Sequence, residues 1–369
     1  MRLKVLIAPD KFKGTLSAGA AAAAIARGWR RARPQDALTL LPITDGGDGF
    51  GEVMGRLLGA RAQTVETVDA AHQPCCARWW WEPKTKTAVI ESAAVIGLVM
   101  LRPGRFHPFH LDTFGLGAVF HSALAKGARR CLVGIGGSAT NDGGFGLARA
   151  LGWQFLDRLG QRIDQWLGLA RLAAVWRPEP QPWFEELLVA VDVQNLLLGP
   201  RGATRVYGPQ KGLRPRDFPL AERCLRRLAT TLKREPRRDF SVVPGAGAAG
   251  GLGFGLLAFA HGKLEPGFDL FARQAGLTRR LRSVDLVITG EGALDDSSFM
   301  GKGVGQIARH CRQLGIGCIG LAGVLSASAS KRRVFIQTHA LTEITRLEKA
   351  KAEPGRWLAE LATVVAQRL

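Results

Sequence analysis

A glycine-dense segment at 134–144, GIGGSATNDGG, has the residue types of a binding loop. Glycine adopts left-handed backbone conformations and lets N–H groups approach a ligand closely. Where such a loop opens a helix, its unpaired N–H groups and the helix dipole favour an anion. A tight strand-to-helix turn would explain the glycines alone, but the hydroxyl and amide side chains between them favour a ligand site. The candidate ligand-binding residues of this loop are Gly134, Gly136, Gly137, Ser138, Thr140 and Asn141.

Acidic residues among glycines form a second candidate group. In TDGGDGFG at 44–51, Asp45 and Asp48 are three residues apart at the end of an apolar segment. Two such carboxylates can hold a hard cation through oxygen, and one of them could instead accept a hydroxyl proton. A glycine turn is the structural alternative. We predict Asp45, Asp48 and, in the first loop, Asp142 as metal ligands, and Asp45 also as a catalytic residue.

Charged residues also follow the first apolar segment of the chain, in APDKFKG at 8–14. In open α/β sheets, ligands bind beyond the carboxyl ends of the strands. A solvated turn would account for scattered charges, but an acid and two lysines at this position favour a site. We predict Lys11 and Lys13 as catalytic cations and Asp10 as a substrate-binding residue.

Asp192 directly follows the strongly apolar segment Leu187–Val191. This order places its carboxylate at the carboxyl end of a predicted strand, where α/β active sites lie. We predict that Asp192 accepts or orients the proton of an attacking hydroxyl group and that Asn195 contacts the substrate. Asp45 is the rival base, and capping of the following turn is the structural alternative for Asp192.

The elements that must position these residues alternate between strands and helices, which predicts an α/β protein. The buried strands are predicted at 3–8, 39–43, 130–133, 187–191, 284–289 and 318–321, with antiparallel strands between 65 and 90. Segment 153–186 is predicted as helix and proline-rich connection, and 207–212 as a loop that carries Lys211. Segment 245–253 is either a helix packed through small residues or a ligand contact. No GxxxxGK[ST] motif occurs, and no GxGxxG follows a strand with the required acid.

Length and cysteine usage limit the class of protein. A chain of 369 residues exceeds the usual size of one core, so two domains are expected. Its six cysteines form no CxxC pair, which favours a reducing compartment and argues against structural zinc. The first apolar run is too short for a signal peptide, and no apolar stretch reaches membrane-spanning length. These features predict a cytoplasmic protein without a membrane partner.

The net charge of +20 raises the question of nucleic-acid binding. The basic residues are mostly arginines scattered through helical segments, one of which is the basic amphipathic helix predicted at 216–233. No segment has the pattern of a helix-turn-helix or a zinc finger. We therefore expect no specific nucleic acid and a positive field that attracts small polyanions such as nucleotides.

Seven motifs in this order resemble the bacterial glycerate kinases of the first class. They are IAPDKFKG at 7–14, DGGDG at 45–49, GIGGSATNDGG at 134–144, DVQN at 192–195, GPQKG at 208–212, PGAGAAGGLG at 244–253 and TGEG at 289–292. The resemblance runs from the first strand to at least Lys302. Because it depends on seven separate motifs, it is far more specific than one glycine loop.

The resemblance implies a two-domain fold with the active site in the cleft between the domains. A Rossmann-like, parallel-sheet domain would contain both termini, over 1–64 and 284–369, and an inserted α/β domain with a mixed sheet would span 65–283. It also implies an ATP-dependent kinase that uses Mg²⁺ to phosphorylate D-glycerate to 2-phosphoglycerate by direct transfer. We assign ATP contacts to the six loop residues given above and to Lys211, Glu291 and Lys302.

The chain departs from the family pattern at a few positions, among them Asp48, where the family usually has Glu. Two alternatives therefore stay open at the level of sequence. One is a kinase for another small hydroxy acid, and the other is a catalytically inactive nucleotide-binding paralogue. The sequence also leaves open whether two copies form a homodimer.

Overall fold

The computed structural model describes residues 2–12, 14–179, 183–233, 239–299, 303–326 and 334–369. The strands are β1 (Lys4–Ile7), β2 (Ala37–Leu40), β3 (Arg61–Val68), β4 (Pro74–Glu82), β5 (Thr87–Glu91), β6 (Arg130–Gly134), β7 (Gln154–Asp157), β8 (Leu172–Trp176), β9 (Glu186–Val191), β10 (Lys263–Pro266), β11 (Leu286–Leu294), β12 (Gly317–Leu325) and β13 (Gln337–Ala340). The helices are α1 (Ala18–Ala32), α2 (Phe50–Leu58), α3 (Ala93–Ile96), α4 (Leu116–Ala125), α5 (Phe145–Ala150), α6 (Ala203–Lys211), α7 (Phe218–Leu232), α8 (Ala248–Ala260), α9 (Gly267–Ala275), α10 (Leu277–Leu281), α11 (Gly303–Gln313), α12 (Leu347–Ala352) and α13 (Pro354–Gln367).

The chain forms two compact units, each assembled from segments that are distant in sequence. The first unit comprises Met1–Asp45, Glu52–Leu57 and Phe268–Leu369, and the second comprises Gly46–Gly51 and Leu58–Gly267. Both ends of the chain belong to the first unit, and a long middle segment builds the second. The domain limits predicted above, 1–64 with 284–369 and 65–283, stay a prediction.

The first unit is built on a five-stranded sheet in the order β13-β12-β11-β1-β2, with every neighbouring pair parallel. Val5, Leu6 and Ile7 of β1 are all fully buried. Such a continuous apolar run is typical of a parallel strand that is covered on both faces. The register pairs Ile7 with Ile288 of β11, so β1 ends beside Ile288 while β11 continues to Leu294.

The second unit contains a six-stranded mixed sheet in the order β10-β9-β6-β5-β4-β3. Strands β10, β9, β6 and β5 are parallel, whereas β4 runs antiparallel to both β5 and β3. Together the two sheets confirm the predicted fold class. No helix in the described ranges is long and apolar enough to cross a membrane.

Two local predictions are wrong. The described part of segment 153–186 contains the antiparallel strands β7 and β8, connected through a segment with a 3-10 turn, and has no α-helix. Segment 207–212 lies mostly in α6, which includes Pro209 and ends where Gly212 adopts a left-handed φ of 104°. The Gly-Pro pair at 208–209 is a strong turn signal, but here the helix continues through it.

The contact between α1 and α13 gives a stability prediction for the first unit. A β-carbon on Gly28 of α1 would overlap the backbone carbonyl of Ala359 in α13. We expect Gly28→Ala to lower the free energy of unfolding by about 1–3 kcal/mol, because the helices must separate to admit the methyl group. The measurement is chemical denaturation followed by circular dichroism.

Gly19→Ala on the same helix is the matched control. Its β-carbon would lie 3.5 Å from the Arg56 guanidinium, which is ordinary contact. Because alanine favours a helix over glycine by up to about 1 kcal/mol, this variant should be as stable as the parent or more so. Equal stability of the two variants would contradict the packing account.

Candidate active site

The glycine loop connects the end of β6 to α5 in the second unit, as the sequence predicts. Its backbone packs directly on residues 46–51: a β-carbon on Gly134 would lie 2.5 Å from Phe50 Cγ, and one on Gly136 would lie 2.6 Å from Gly47 Cα. The Gly136 N–H also donates to the Gly46 carbonyl at 3.1 Å. Close packing is therefore sufficient to explain these two glycines.

Asp48 lies against the same loop. A β-carbon on Gly137, whose φ is 78°, would overlap the Asp48 carboxylate. The turn that carries Asp48 is held by Glu91, because both carboxylate oxygens of Glu91 accept backbone hydrogen bonds, from Gly49 N–H and Gly51 N–H, each at 2.9 Å. The structure thus brings Asp48 beside the predicted binding loop, and Glu91 positions its turn.

The two hydroxyl residues of the loop are buried and bonded to each other. The Ser138 and Thr140 hydroxyl groups are 2.9 Å apart, and the Thr140 N–H donates to Ser138 Oγ at 3.0 Å. These bonds fix the loop from within. A ligand that contacts either hydroxyl group would therefore bind a group that already has a hydrogen bond within the loop.

Asn141 is the residue of the loop with an unused polar atom. Its side-chain N–H donates to Thr204 Oγ1 of α6 at 3.0 Å, and the residue is fully buried. Its amide oxygen Oδ1 is buried and has no hydrogen-bond partner within the described residues. A buried acceptor without a partner costs about 1–3 kcal/mol, so a ligand donor or a cation at this oxygen would be favourable.

Asp142 is fully buried and stabilises the loop instead of facing a ligand. Its carboxylate accepts hydrogen bonds from the N–H and hydroxyl groups of Thr113, at 3.0 and 2.7 Å, and from the N–H groups of Gly144 and Gly146, at 3.2 and 2.9 Å. Burial and the nearby charge of Asp112 raise the pKa of Asp142 to about 6. This geometry does not support the predicted metal contact of Asp142, because four donors already surround its oxygens.

Lys211 reaches the same loop from α6. Its ammonium group is buried and donates to the Thr140 carbonyl at 2.6 Å. Burial lowers the pKa of Lys211 to about 7, against the opposing effect of the Asp142 charge. Lys211 therefore holds the backbone of the predicted ATP-binding loop in place. The sequence alone did not indicate this role.

Asp192 and Asn195 form a second polar group, together with Tyr207. The Tyr207 hydroxyl donates to Asn195 Oδ1 at 2.6 Å, and the Asn195 amide donates to the Arg201 carbonyl at 2.7 Å. Burial and the negative charge of Asp192 raise the pKa of Tyr207 to about 12. Asp192 itself is exposed at the end of β9. Tyr207 was missed, although it is the single tyrosine of the chain and precedes a recognised motif.

The first unit gathers a separate set of acidic residues. Asp10 follows β1, its backbone N–H donates to the Gly290 carbonyl at 2.8 Å, and its carboxylate accepts from the Lys11 N–H at 2.7 Å. Burial above all, and then repulsion from Asp45 and Glu291, raises the pKa of Asp10 to about 7. The structure thus brings together three of the predicted residues, Asp10, Asp45 and Glu291.

Two predicted cations, Lys13 and Lys302, lie outside the described residues. The glycine-rich segment 245–253 does lie within them and packs closely on the binding loop. Gly250, with a φ of 69°, leaves no room for a β-carbon beside the Thr140 carbonyl, and its own carbonyl accepts from Gly143 N–H at 3.1 Å. The segment therefore packs on the loop through small residues, although Ala249, Gly250 and Gly251 have left-handed instead of helical backbone angles, and a ligand contact stays a prediction.

Comparisons with known proteins agree with this architecture. A family model described as the glycerate kinase family matches residues 5–369. The chain is 36% identical to glycerate kinase of Bacillus subtilis (strain 168), over 89% of this chain and 87% of the relative. It is 35% identical to glycerate 2-kinase of Escherichia coli (strain K12), over 88% of this chain and 86% of the relative. The crystal structure of a protein of Salmonella typhimurium LT2, provisionally named glycerate kinase 2, is similar to this chain with a TM-score of 0.85 and 32% sequence identity. The similarity covers 100% of this chain and 98% of the Salmonella chain.

The buried Lys211 predicts a particular dependence of stability on pH. Its pKa in the folded protein, about 7, is below the ordinary value of 10.5, so the unfolded chain binds more protons between these pH values. The free energy of unfolding should therefore gain a contribution from Lys211 that rises with pH, by up to about 1.4 kcal/mol per unit. Urea denaturation at pH 7.0, 7.75 and 8.5 should show this contribution in the parent and not in Lys211→Met.

Lys126→Met removes an exposed lysine of the same unit and serves as the control. It should keep the pH dependence of the parent. If the stability of the parent and of Lys211→Met changed with pH in parallel, the pKa of Lys211 would not be lowered by burial.

Proposed function

This chain belongs to the glycerate kinase family, and we propose that it transfers the γ-phosphoryl group of ATP to D-glycerate, with 2-phosphoglycerate as the product. The observation that carries this proposal is the extent of the similarity, which includes both compact units and every predicted site residue from Asp10 to Lys302. The named relatives act on glycerate, which favours this substrate over other small hydroxy acids and favours activity over an inactive paralogue.

Two observations on the described residues are consistent with binding of ATP and Mg²⁺. Asn141 Oδ1 is a buried acceptor without a partner within the described residues, in the loop that joins β6 to α5. In the first unit, burial above all, and then the negative charges of Asp45 and Glu291, raise the pKa of Asp10 to about 7. No three acidic, histidine or cysteine side chains in the described ranges are placed so that they could hold one metal ion by themselves. Mg²⁺ usually binds one or two carboxylates together with substrate phosphates, so Asp10 and Asp45 suit it.

The mechanism that follows is direct phosphoryl transfer, in which the protein positions reactants and stabilises charge. Bound Mg²⁺ would supply positive charge to the phosphates. The N–H groups of the glycine loop would bind the phosphates, and the Asn141 amide oxygen would accept a hydrogen bond from a ligand hydroxyl or amino group. Lys11 adds positive charge beside Asp10, which offsets the charge that develops during transfer.

We propose that Asp192 accepts or orients the proton of the attacking hydroxyl group. Its carboxylate is exposed at the end of β9 and is therefore accessible to substrate, and it is the negative charge that acts on Tyr207. The Tyr207 hydroxyl donates to Asn195 Oδ1 at 2.6 Å. This bond orients Asn195, the side chain that we propose to contact glycerate. Asp45 belongs to the other group of carboxylates, which suits a metal better than proton transfer.

A coupled assay tests the reaction. Purified protein with ATP and Mg²⁺ should release ADP with D-glycerate and much less with tartronate or lactate, because the family similarity favours glycerate. Phosphorus NMR of the product should show 2-phosphoglycerate. Nucleotide binding without ADP release on any of the three acids would contradict the proposal and leave the inactive paralogue.

The variant Asp192→Asn tests the proposed base. It keeps the shape of the side chain and removes the charge, so kcat should fall on the order of a hundredfold or more. Steady-state kinetics and a thermal melt should be measured on the same preparation. If Asp192 only caps a turn, the variant should lose about 1 kcal/mol of stability and retain its rate.

Asp164→Asn is the matched control for this substitution. Asp164 is in the same unit, its side chain is 64% exposed, and it pairs with Arg149 at 2.9 Å. Because exposed ion pairs contribute little, this variant should retain the parent kcat. A similar loss of rate in both variants would show that the effect is not specific to Asp192.

A further inference from the structure

The second unit contains a pocket of about 660 Å³ that none of the proposed catalytic residues line. Three separate parts of the chain form its walls: α7, the turn that follows β7, and the 3-10 turn that precedes β8. Its basic lining residues are Arg158, Arg171, Arg223, Arg226 and Arg227. Asp157 is the single acidic lining residue, so the lining carries a net charge of +4.

The arginines of α7 face the pocket because of their spacing. Residues three and four apart share one side of a helix, and Arg223, Arg226 and Arg227 are spaced in this way. The opposite side of α7 is apolar, with Leu225 and Leu228 fully buried in the core of the unit. Packing of α7 therefore determines where its basic side is presented.

Two of the five guanidinium groups are held in place by the protein. Arg227 Nε donates to the Leu172 carbonyl at 2.5 Å, and Arg171 Nε lies 3.4 Å from the Asp157 carboxylate. Asp157 is itself positioned by hydrogen bonds from backbone N–H groups at 159 and 161. These contacts orient the side chains without neutralising the pocket.

The remaining arginines have little or no local compensation. Arg226 lies 3.9 Å from Glu222, at the limit of an ion pair, and its side chain is 67% exposed. Within the described residues, no carboxylate forms an ion pair with Arg158 or Arg223. Like charges around one concavity repel each other, so an anion that enters the pocket would relieve this repulsion.

We propose that this arginine pocket binds a small organic anion that carries two or more phosphate groups. Guanidinium groups form two parallel hydrogen bonds with a phosphate, which makes arginine well suited to this chemistry. The pocket volume lies within the range of small-molecule sites, and a charge of +4 matches a bisphosphate or a nucleoside polyphosphate. The site is separate from phosphoryl transfer, and its occupant is a second ligand of the protein.

Binding of inorganic tripolyphosphate at low salt tests this site, measured by isothermal titration calorimetry. In Arg223→Ser/Arg226→Ser, the pocket-bound component should weaken at least tenfold, because two charge-assisted contacts are lost. Both side chains are exposed, so the variant should keep the parent melting temperature and the parent kcat for glycerate phosphorylation. Any tripolyphosphate bound at the nucleotide site should remain in this variant.

Arg279→Ser/Arg282→Ser is the matched control, because it also removes two positive charges, but from exposed positions at α10 outside the pocket. This variant should change tripolyphosphate binding less than twofold. Identical isotherms for the parent and the pocket variant would overturn the proposal, as would equal weakening in both double variants. Displacement of pocket-bound tripolyphosphate by fructose 1,6-bisphosphate or by ADP would identify a sugar bisphosphate or a nucleotide as the natural class. The binding result does not depend on kinase activity, so failure of the glycerate assay would leave this test intact.

Discussion

Close backbone packing around the glycine loop is the constraint on which the second unit depends. Residues 46–51 and 245–255 approach the loop where no side chain would fit: a β-carbon on Gly136 would lie 2.6 Å from Gly47 Cα, and one on Gly144 would lie 2.7 Å from Gly255 Cα. Side chains at these positions would separate the segments. Several N–H groups of the loop are bonded within the unit, among them those of Gly136 to the Gly46 carbonyl and of Gly143 to the Gly250 carbonyl, so this packing fixes the course of the loop backbone.

Buried charges complete this arrangement from inside the unit. Asp142 accepts four hydrogen bonds at the start of α5, and Lys211 donates to the Thr140 carbonyl from α6. Removing such groups from water is costly unless they are hydrogen-bonded, and both are. These bonds set the conformation of the loop before a ligand arrives, so under the function that we propose the loop need not reorganise during transfer.

The two units supply different chemistry. The second contributes backbone donors, the amide of Asn141 and the exposed carboxylate of Asp192. The first contributes Asp10, Asp45 and Glu291, where burial above all, and then repulsion from the other two carboxylates, raises the pKa of Asp10 to about 7. Groups with perturbed pKa values are concentrated at functional sites. Both kinds of group are used in phosphoryl transfer, in which carboxylates bind the metal ion and donors bind the phosphates, and this is the basis of the function that we propose.

The sequence by itself determined the alternation of buried strands and helices, because fully buried parallel strands appear as continuous apolar runs such as Leu187–Val191. It also placed Asp10 and Asp192 at strand ends, since those positions follow directly from where the runs stop. Only the tertiary structure decided which polar side chains stabilise the loop, because their partners lie far away in sequence: Thr113 is 29 residues from Asp142, and Lys211 is 71 residues from Thr140. Local patterns carry no information about such pairs, so the structural role of Asp142 became visible only when the chain was folded.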